Sequence, residues 1–296
     1  MLPAIKSAIL YNRGINVREI LASNITDAIA AACMSANYDL PEDVEKALEA
    51  GYKDEESPIG KDIFAQLIEN AKIAREEHVA ICQDTGFTVI FVKIGQDAHI
   101  TGGNLVDAIN EGVRRGYAEG FLRKSIVAHP LERINTGDNT PAIIHTEIVP
   151  GDELRILVAP KGGGSENMSG VKMLKPSDGV EGVKKFVVDL VKTAGSNPCP
   201  PIIVGVGIGG TMEMAAIMAK RAVLREIGKH SEKPYDAALE EELLKLVNDT
   251  GVGPAGLGGR ITALAVNVET YPAHIASLPV AVNIQCHAAR HKEIVL

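Results

Sequence analysis

A mixed α/β fold, with a helical N-terminal lobe packed on an α/β body that holds a mixed sheet, is predicted by three observations. Helix-length segments with apolar residues at 3.6-residue spacing follow one another up to about residue 76. From His78 the texture changes, and β-branched runs bounded by turn residues alternate with further helical stretches. The 296 residues are 46% hydrophobic, enough for a substantial core. The expected division is a lobe over 1–76 and a body over 77–296, together one compact domain. Aromatics are only 4% and Trp is absent, so Ile, Leu, Val, Ala and Met must fill that core.

Along the chain, Ser23 and Asn24 precede ITDAIAAACMSANY and read as an N-cap region. Pro41 restarts a helix in PEDVEKALEAGY with acids in its first turn. GKDIFAQLIENAKIAREEH places Ile63, Leu67, Ile68 and Ala71 on one face of a third helix. VAICQDTGFTVIFVKIG then sets a turn-rich tetrad before a strand ending at Gly95. A helix in LVDAINEGVRRGYAEGFL leads to the strands AIIHTEIV and LRILVAP, joined by the turn Pro150, Gly151, Asp152. The glycine run 162–164, the helix DGVEGVKKFVVDLVKTAG, the loop around Cys199 and the strand IIVGVGI follow. Helices from about Thr211 to Ile227 and near AALEEELLKLVND precede the final strands ITALAVNVET and LPVAVNIQC. The sequence has no evident internal repeat and no low-complexity linker.

Charge and composition exclude several function classes. A formal net charge of −8 with no Lys/Arg run argues against nucleic acid or an anionic membrane as partner. Lys6, Arg13 and Arg18 interrupt the apolar N-terminus, so it is not read as a signal peptide. Nowhere do about 18 apolar residues run without a charge, so no membrane span is expected and the expected location is cytoplasmic. Four cysteines are too few for a disulfide-stapled secreted fold, which leaves packing, catalysis or metal binding to explain each thiol.

Cys33, among Ala and Met on a helix, reads as a small buried apolar residue. Cys82 before Gln83-Asp84-Thr85-Gly86, Cys199 between Pro198 and Pro200, and Cys286 before His287 all fall in loops or at strand ends with polar or basic neighbours. No C-x-x-C occurs, which excludes zinc ribbons and thioredoxin-like redox motifs. Spacing alone leaves a three-cysteine metal site open beside blander readings. Taken alone, Asp84 is a turn residue, Arg123 a solvated helix-end cation, and His274 and His287 loop histidines. Residues 205–210 satisfy G-x-G-x-x-G after a strand, but Glu226 ends the same helix instead of a second strand, so a dinucleotide site is not expected. The expected reason for those glycines is a tight turn packed beneath the Cys199 loop.

The segments ICQDTG at 81–86, KGGGSEN at 161–167, NPCPP at 197–201 through Gly210, and QCHA at 285–288 resemble the signature stretches of class I, iron–sulfur-dependent fumarases. More narrowly, they resemble the separate alpha subunit of the two-subunit form. The similarity runs from about Val17 to Arg290, with the segments in family order. It implies that Cys82, Cys199 and Cys286 hold a [4Fe–4S] cluster with one iron open to substrate, and that Cys33 is no ligand. It further implies that Gln83 touches substrate, Asp84 assists proton transfer, and Arg123, Gly163, Gly164 and His274 bind substrate.

The implied reaction is reversible hydration of fumarate to L-malate, a hydro-lyase step of the tricarboxylic acid cycle. The alpha subunit of L-tartrate dehydratase is the nearest alternative; the stretch Ser165-Glu166-Asn167 and the stretch Cys286-His287-Ala288 favour the fumarase version. A non-catalytic cluster scaffold or electron carrier is the alternative from a different class. The family's second region, which supplies further substrate-binding cations, is expected on a beta subunit. The chain alone is then expected to bind a cluster yet be nearly inactive, and the complex to be α2β2.

Overall fold

A computed structural model describes residues 17–296; Lys6 and Arg13, used above to exclude a signal peptide, lie outside them. The chain enters through β1 (Arg18–Leu21) directly into α1 (Ala22–Tyr38). The cap is Leu21, which makes no side-chain cap bond, so Ser23 and Asn24 lie inside the first turn and not before it. Next come α2 (Glu42–Asp54) and α3 (Pro58–Glu77). The latter is capped by Ser57, which accepts from Gly60 N at 3.2 Å, and closes on His78 in the left-handed region.

Two four-stranded mixed sheets follow. The first comprises β2 (Phe87–Gly95), β4 (Ile143–Val149), β5 (Leu154–Lys161) and the terminal β10 (Lys292–Val295), in the order β10-β5-β2-β4. Between β2 and β4 lie β3 (Ala98–Thr101), paired with β1, and α4 (Leu105–Glu119). The second sheet comprises β6 (Gly170–Leu174), β7 (Ile202–Gly209), β8 (Ala263–Tyr271) and β9 (Leu278–Gln285), in the order β6-β9-β7-β8. A single turn, α5 (Gly163–Glu166), precedes β6. The helix α6 (Gly179–Ala194) precedes β7, and α7 (Met212–Ala222) and α8 (Pro234–Asn248) cross from β7 to β8.

The two sheets share one topology. In each, a central strand (β2 or β7) runs parallel to the strand reached by its helical crossover (β4 or β8). The next strand (β5 or β9) then returns antiparallel on the other side, and a fourth strand joins antiparallel at that edge. Thus β4 and β5, although joined by a tight turn, flank β2 and do not pair with each other.

Alternation along β2 sorts its residues by face. Ile90 and Val92 join α1 and α4 in one core, while Val89 and Phe91 face α2, α3 and the second sheet. The helices α1 and α4 pack backbone against backbone, because a Cβ on Gly116 would lie 2.8 Å from Ala30 O and 2.9 Å from Cys33 Cβ. Cys33 is sealed in that contact, and burial pushes its thiol up to about 12.

In the second sheet Val204 and Val206 face α6 and α8, with Val187, Leu243 and Val247 among the partners. Gly205 and Gly207 point the other way, onto α7, where any Cβ would run into the carbonyl oxygens of Ala219 and Ala215. Close helix packing is therefore what the glycine-rich motif provides, and its turn lies at the far end of β7 from Cys199, not beneath that loop. Between the sheets, Arg221 of α7 sits over the Phe91 ring at 5.8 Å and pairs with Glu147 at 2.9 Å.

Candidate active site

Shared topology brings equivalent strand ends together. Cys82 precedes β2 and Cys199 precedes β7, while the glycine run follows β5 and Cys286 follows β9. In each sheet the antiparallel pairing sets the entry of the central strand beside the exit of its neighbour, Phe87 opposite Lys161 and Ile203 opposite Gln285. Four loops from two sheets thus converge.

Asp84 is the hub. Its Oδ1 accepts from Gly86 N at 2.9 Å and its Oδ2 from Gly163 N at 2.8 Å, while its carbonyl accepts from Arg290 Nη2 at 2.8 Å. Gly162 packs closely on this carboxylate, since a Cβ there would stand 3.2 Å from Asp84 Oδ2. Gly86 takes a φ of +75° with Lys161 backbone 2.7 Å from its would-be Cβ, so only glycine fits. Tyr117 of α4 donates to Thr85 O at 2.8 Å, and Thr85 Oγ1 donates to Arg123 O at 3.0 Å. The Arg123 backbone is thereby tied to the Cys82 loop while its side chain remains exposed. Gly164 closes on the Cys199 loop, its would-be Cβ 3.4 Å from Asn197 O.

The thiols sense one another. Burial first, then the charges of Cys286 and Cys82, push the Cys199 thiol up; burial and Cys82 do the same to Cys286, while Arg290 and Lys161 pull it back. Cys199 holds a φ of 55°, strained for a residue with a side chain, and its carbonyl lies 3.0 Å from His287 Nδ1. Gln83 Oε1 accepts from Cys82 Sγ at 3.4 Å.

Two buried cations underlie this surface. Arg290, 1% exposed, also donates to Asn37 Oδ1 at 3.0 Å, which anchors the cysteine loops to the end of α1. Lys161 donates to Ser165 Oγ at 2.6 Å and pairs with Glu166 at 3.4 Å, and Glu166 also pairs with Lys220 of α7. Burial, opposed by the charges of Glu166 and Cys286, lowers the Lys161 ammonium to about 8.

Three cysteines grouped beside two cations make a set of soft sulfur donors. Among the described residues no three His, Cys, Asp or Glu side chains converge on a single ion. Sulfur donors on separate loops are compatible in kind with the ligands of an iron–sulfur cluster.

Of the residues singled out in the sequence, Cys82, Gln83, Asp84, Gly163, Gly164, Cys199 and Cys286 come together, with the Arg123 backbone beside them. His274 does not. It lies exposed in the loop between β8 and β9, and the eight residues of β9 carry the chain roughly 26 Å to Cys286 at the strand's other end. His287, a loop histidine by sequence, is inside the site. Arg290, Lys161 and Tyr117 were not identified as site residues; the only signal was a cation next to a cysteine or glycine loop.

A family model described as fumarate hydratase (Fumerase) matches residues 26–295. A putative L(+)-tartrate dehydratase subunit alpha from Methanocaldococcus jannaschii is 47% identical over 272 residues, covering 90% of this chain and 95% of that one. L(+)-tartrate dehydratase subunit alpha proteins from Escherichia coli K12 and Shigella sonnei are 34% identical over 272 residues, covering 90% of this chain and 89% of theirs. The match spans both sheets and the loops they bring to one end, and the chain belongs to the fumarate hydratase family of hydro-lyases, alongside L(+)-tartrate dehydratase alpha subunits.

Proposed function

We infer that this chain is the cluster-bearing alpha subunit of a two-subunit hydro-lyase that reversibly adds water to a dicarboxylate double bond, fumarate to L-malate. One observation carries the reading: three cysteines from two sheets meet around an aspartate whose carboxylate is fixed by a glycine loop. Cys82, Cys199 and Cys286 would hold a [4Fe–4S] cluster, which when bound supplies Lewis acidity through an iron lacking a cysteine ligand. A second reading, dehydration of L(+)-tartrate, is supported by the names of the 47% and 34% identical relatives.

The chain's own residues supply binding and proton handling. Asp84, oriented by two backbone N–H donors, stands where a carboxylate can take or return the proton beside a substrate carboxyl group. Gln83 offers an amide to a substrate oxygen. Arg123 and the N–H groups of the glycine turn can serve one substrate carboxylate. Lys161 and Arg290 are already engaged by the protein, so the second carboxylate needs cations from a beta subunit. An α2β2 assembly in the cytoplasm completes the proposal, and no helix among the described residues is long and apolar enough to cross a membrane.

The test is anaerobic reconstitution with iron and sulfide, alone and with the cognate beta subunit. Iron uptake is expected in the parent and in Cys33→Ser, and loss in Cys82→Ser, Cys199→Ser and Cys286→Ser. Initial rates on fumarate, L-malate and L(+)-tartrate then rank the two readings. Full turnover by the chain alone, or iron uptake untouched in all three variants, would overturn the assignment.

A further inference from the structure

Residues 121–137 connect α4 to β4 and form an arm held rigidly outward. Ala128 N donates to Ile134 O at 2.7 Å and Thr136 N to Ile126 O at 2.9 Å, and Val127 bridges Asn135 antiparallel. The tip is closed by Arg133 N to His129 O at 2.9 Å and by the N–H groups of Leu131 and Glu132 on His129 Nδ1, each 3.3 Å. Phe121 and Arg133 are held at φ values of 50° and 63°, a strain that persists only where surrounding bonds dictate the shape. Yet this hydrogen-bonded arm leaves Phe121 96%, Leu131 86% and Ile134 64% exposed. Apolar side chains fixed in water on a pre-shaped scaffold form a knob whose ordering cost is already met before a partner arrives.

The base of the arm belongs to the site. Asn139 accepts from Ser125 N at 2.7 Å and donates to Gly86 O at 3.2 Å, and Thr85 holds Arg123 O. Arg123, Lys124 and Arg133 against Glu132 make the arm basic, in a chain whose formal net charge is −8. A surface that covers it therefore presents an apolar pocket rimmed by carboxylates.

We propose that the 121–137 arm is the docking element for the companion subunit that completes the dicarboxylate site, with Phe121, Leu131 and Ile134 as its apolar anchors. This rests on the two-subunit reading above. Seating the arm brings the partner to Arg123, where the arm runs into the site.

The experiment uses the full chain and the cognate beta subunit, purified separately and mixed anaerobically, with association followed by sedimentation. Leu131→Asp with Ile134→Asp is expected to weaken association at least ten-fold while iron uptake and melting temperature match the parent. Ile275→Asp, 92% exposed at the far end of the second sheet, is the control expected to change nothing. Protection of amides 126–136 from hydrogen exchange on adding the beta subunit is the second readout, and it needs no substitution. Parent-like association of the double variant, with no added protection, overturns the proposal. So does a chain that self-associates through the arm and loses only that in the variant, since the occupant is then a second copy. A parent that never binds the beta subunit sinks the two-subunit reading itself.

Discussion

The two sheets of this protein share strand order and direction but solve helix packing in opposite ways. In the first, bulky Ile90 and Val92 fill the β2 face, and the close approach is made between helices, where Gly116 of α4 meets α1. In the second, the strand itself gives way, and Gly205 and Gly207 let α7 lie against β7. Their working ends differ too. The first contributes Asp84, Gln83, the glycine turn and one thiol; the second contributes two thiols. One topology, used twice, thus sets the aspartate and glycine turn on one sheet and two of the three loop cysteines on the other.

The comparison is broken most severely at the strand glycines. In Gly207→Ala the new methyl meets backbone of α7, which has no side chain to swing aside. A loss of about 3 kcal/mol or more, or failure to fold, is expected in thermal melts. Gly116→Ala also meets backbone, Ala30 O at 2.8 Å, but α1 and α4 can slide apart, and a loss of about 1–3 kcal/mol is expected. If Gly116→Ala proved the costlier, the contrast between the sheets would be wrong.

A smaller effect sharpens the other half of the contrast. Arg290→Gln removes the guanidinium that joins Asn37 to the Asp84 carbonyl, and about 1–3 kcal/mol should be lost, as for unsatisfied buried groups. Because Arg290 serves both sheets, iron uptake should fall along with the melting temperature; unchanged uptake would limit Arg290 to packing.

The smallest effect is pH-dependent. Glu55, between α2 and α3, is buried, which alone would raise its pKa. Backbone N–H groups of Arg260, Ser57, Ile261 and Glu56 outweigh that and hold it below the usual value. A depressed carboxylate stabilises the fold above its unfolded pKa, and that stability is lost as pH falls through the folded one. Parent should therefore exceed Glu55→Gln by about 1–2 kcal/mol at pH 7, and the difference should shrink as pH falls through the depressed folded-state pKa. A difference independent of pH would show that the charge is irrelevant.

Element types were legible because the apolar periods of α1, α4, α6, β2, β7 and β9 are long and unbroken. The four-residue strands β1, β3 and β10 were not, since so short a run carries no period and takes its conformation from a neighbour. The topological repeat was equally hidden, because the two central strands, FTVIFVKIG and IIVGVGIG, use different residues for the same position. At the site, the cysteine and glycine loops were readable from motif order. Arg290 and Lys161 were not, since charged residues are assigned to the surface unless a fold forces them inside. His274 lies apart from Cys286 although only twelve residues precede it, because a strand intervenes and strands separate their ends.

That Cys82 comes from one sheet and Cys199 and Cys286 from the other has a thermodynamic corollary. Whatever binds all three thiols reports on the mutual register of the sheets, and by reciprocity tightens that register by the difference between its affinities for the closed and loosened seam. A lesion that loosens the seam should therefore weaken any such ligand, and the ligand in turn should raise the melting temperature of the intact protein.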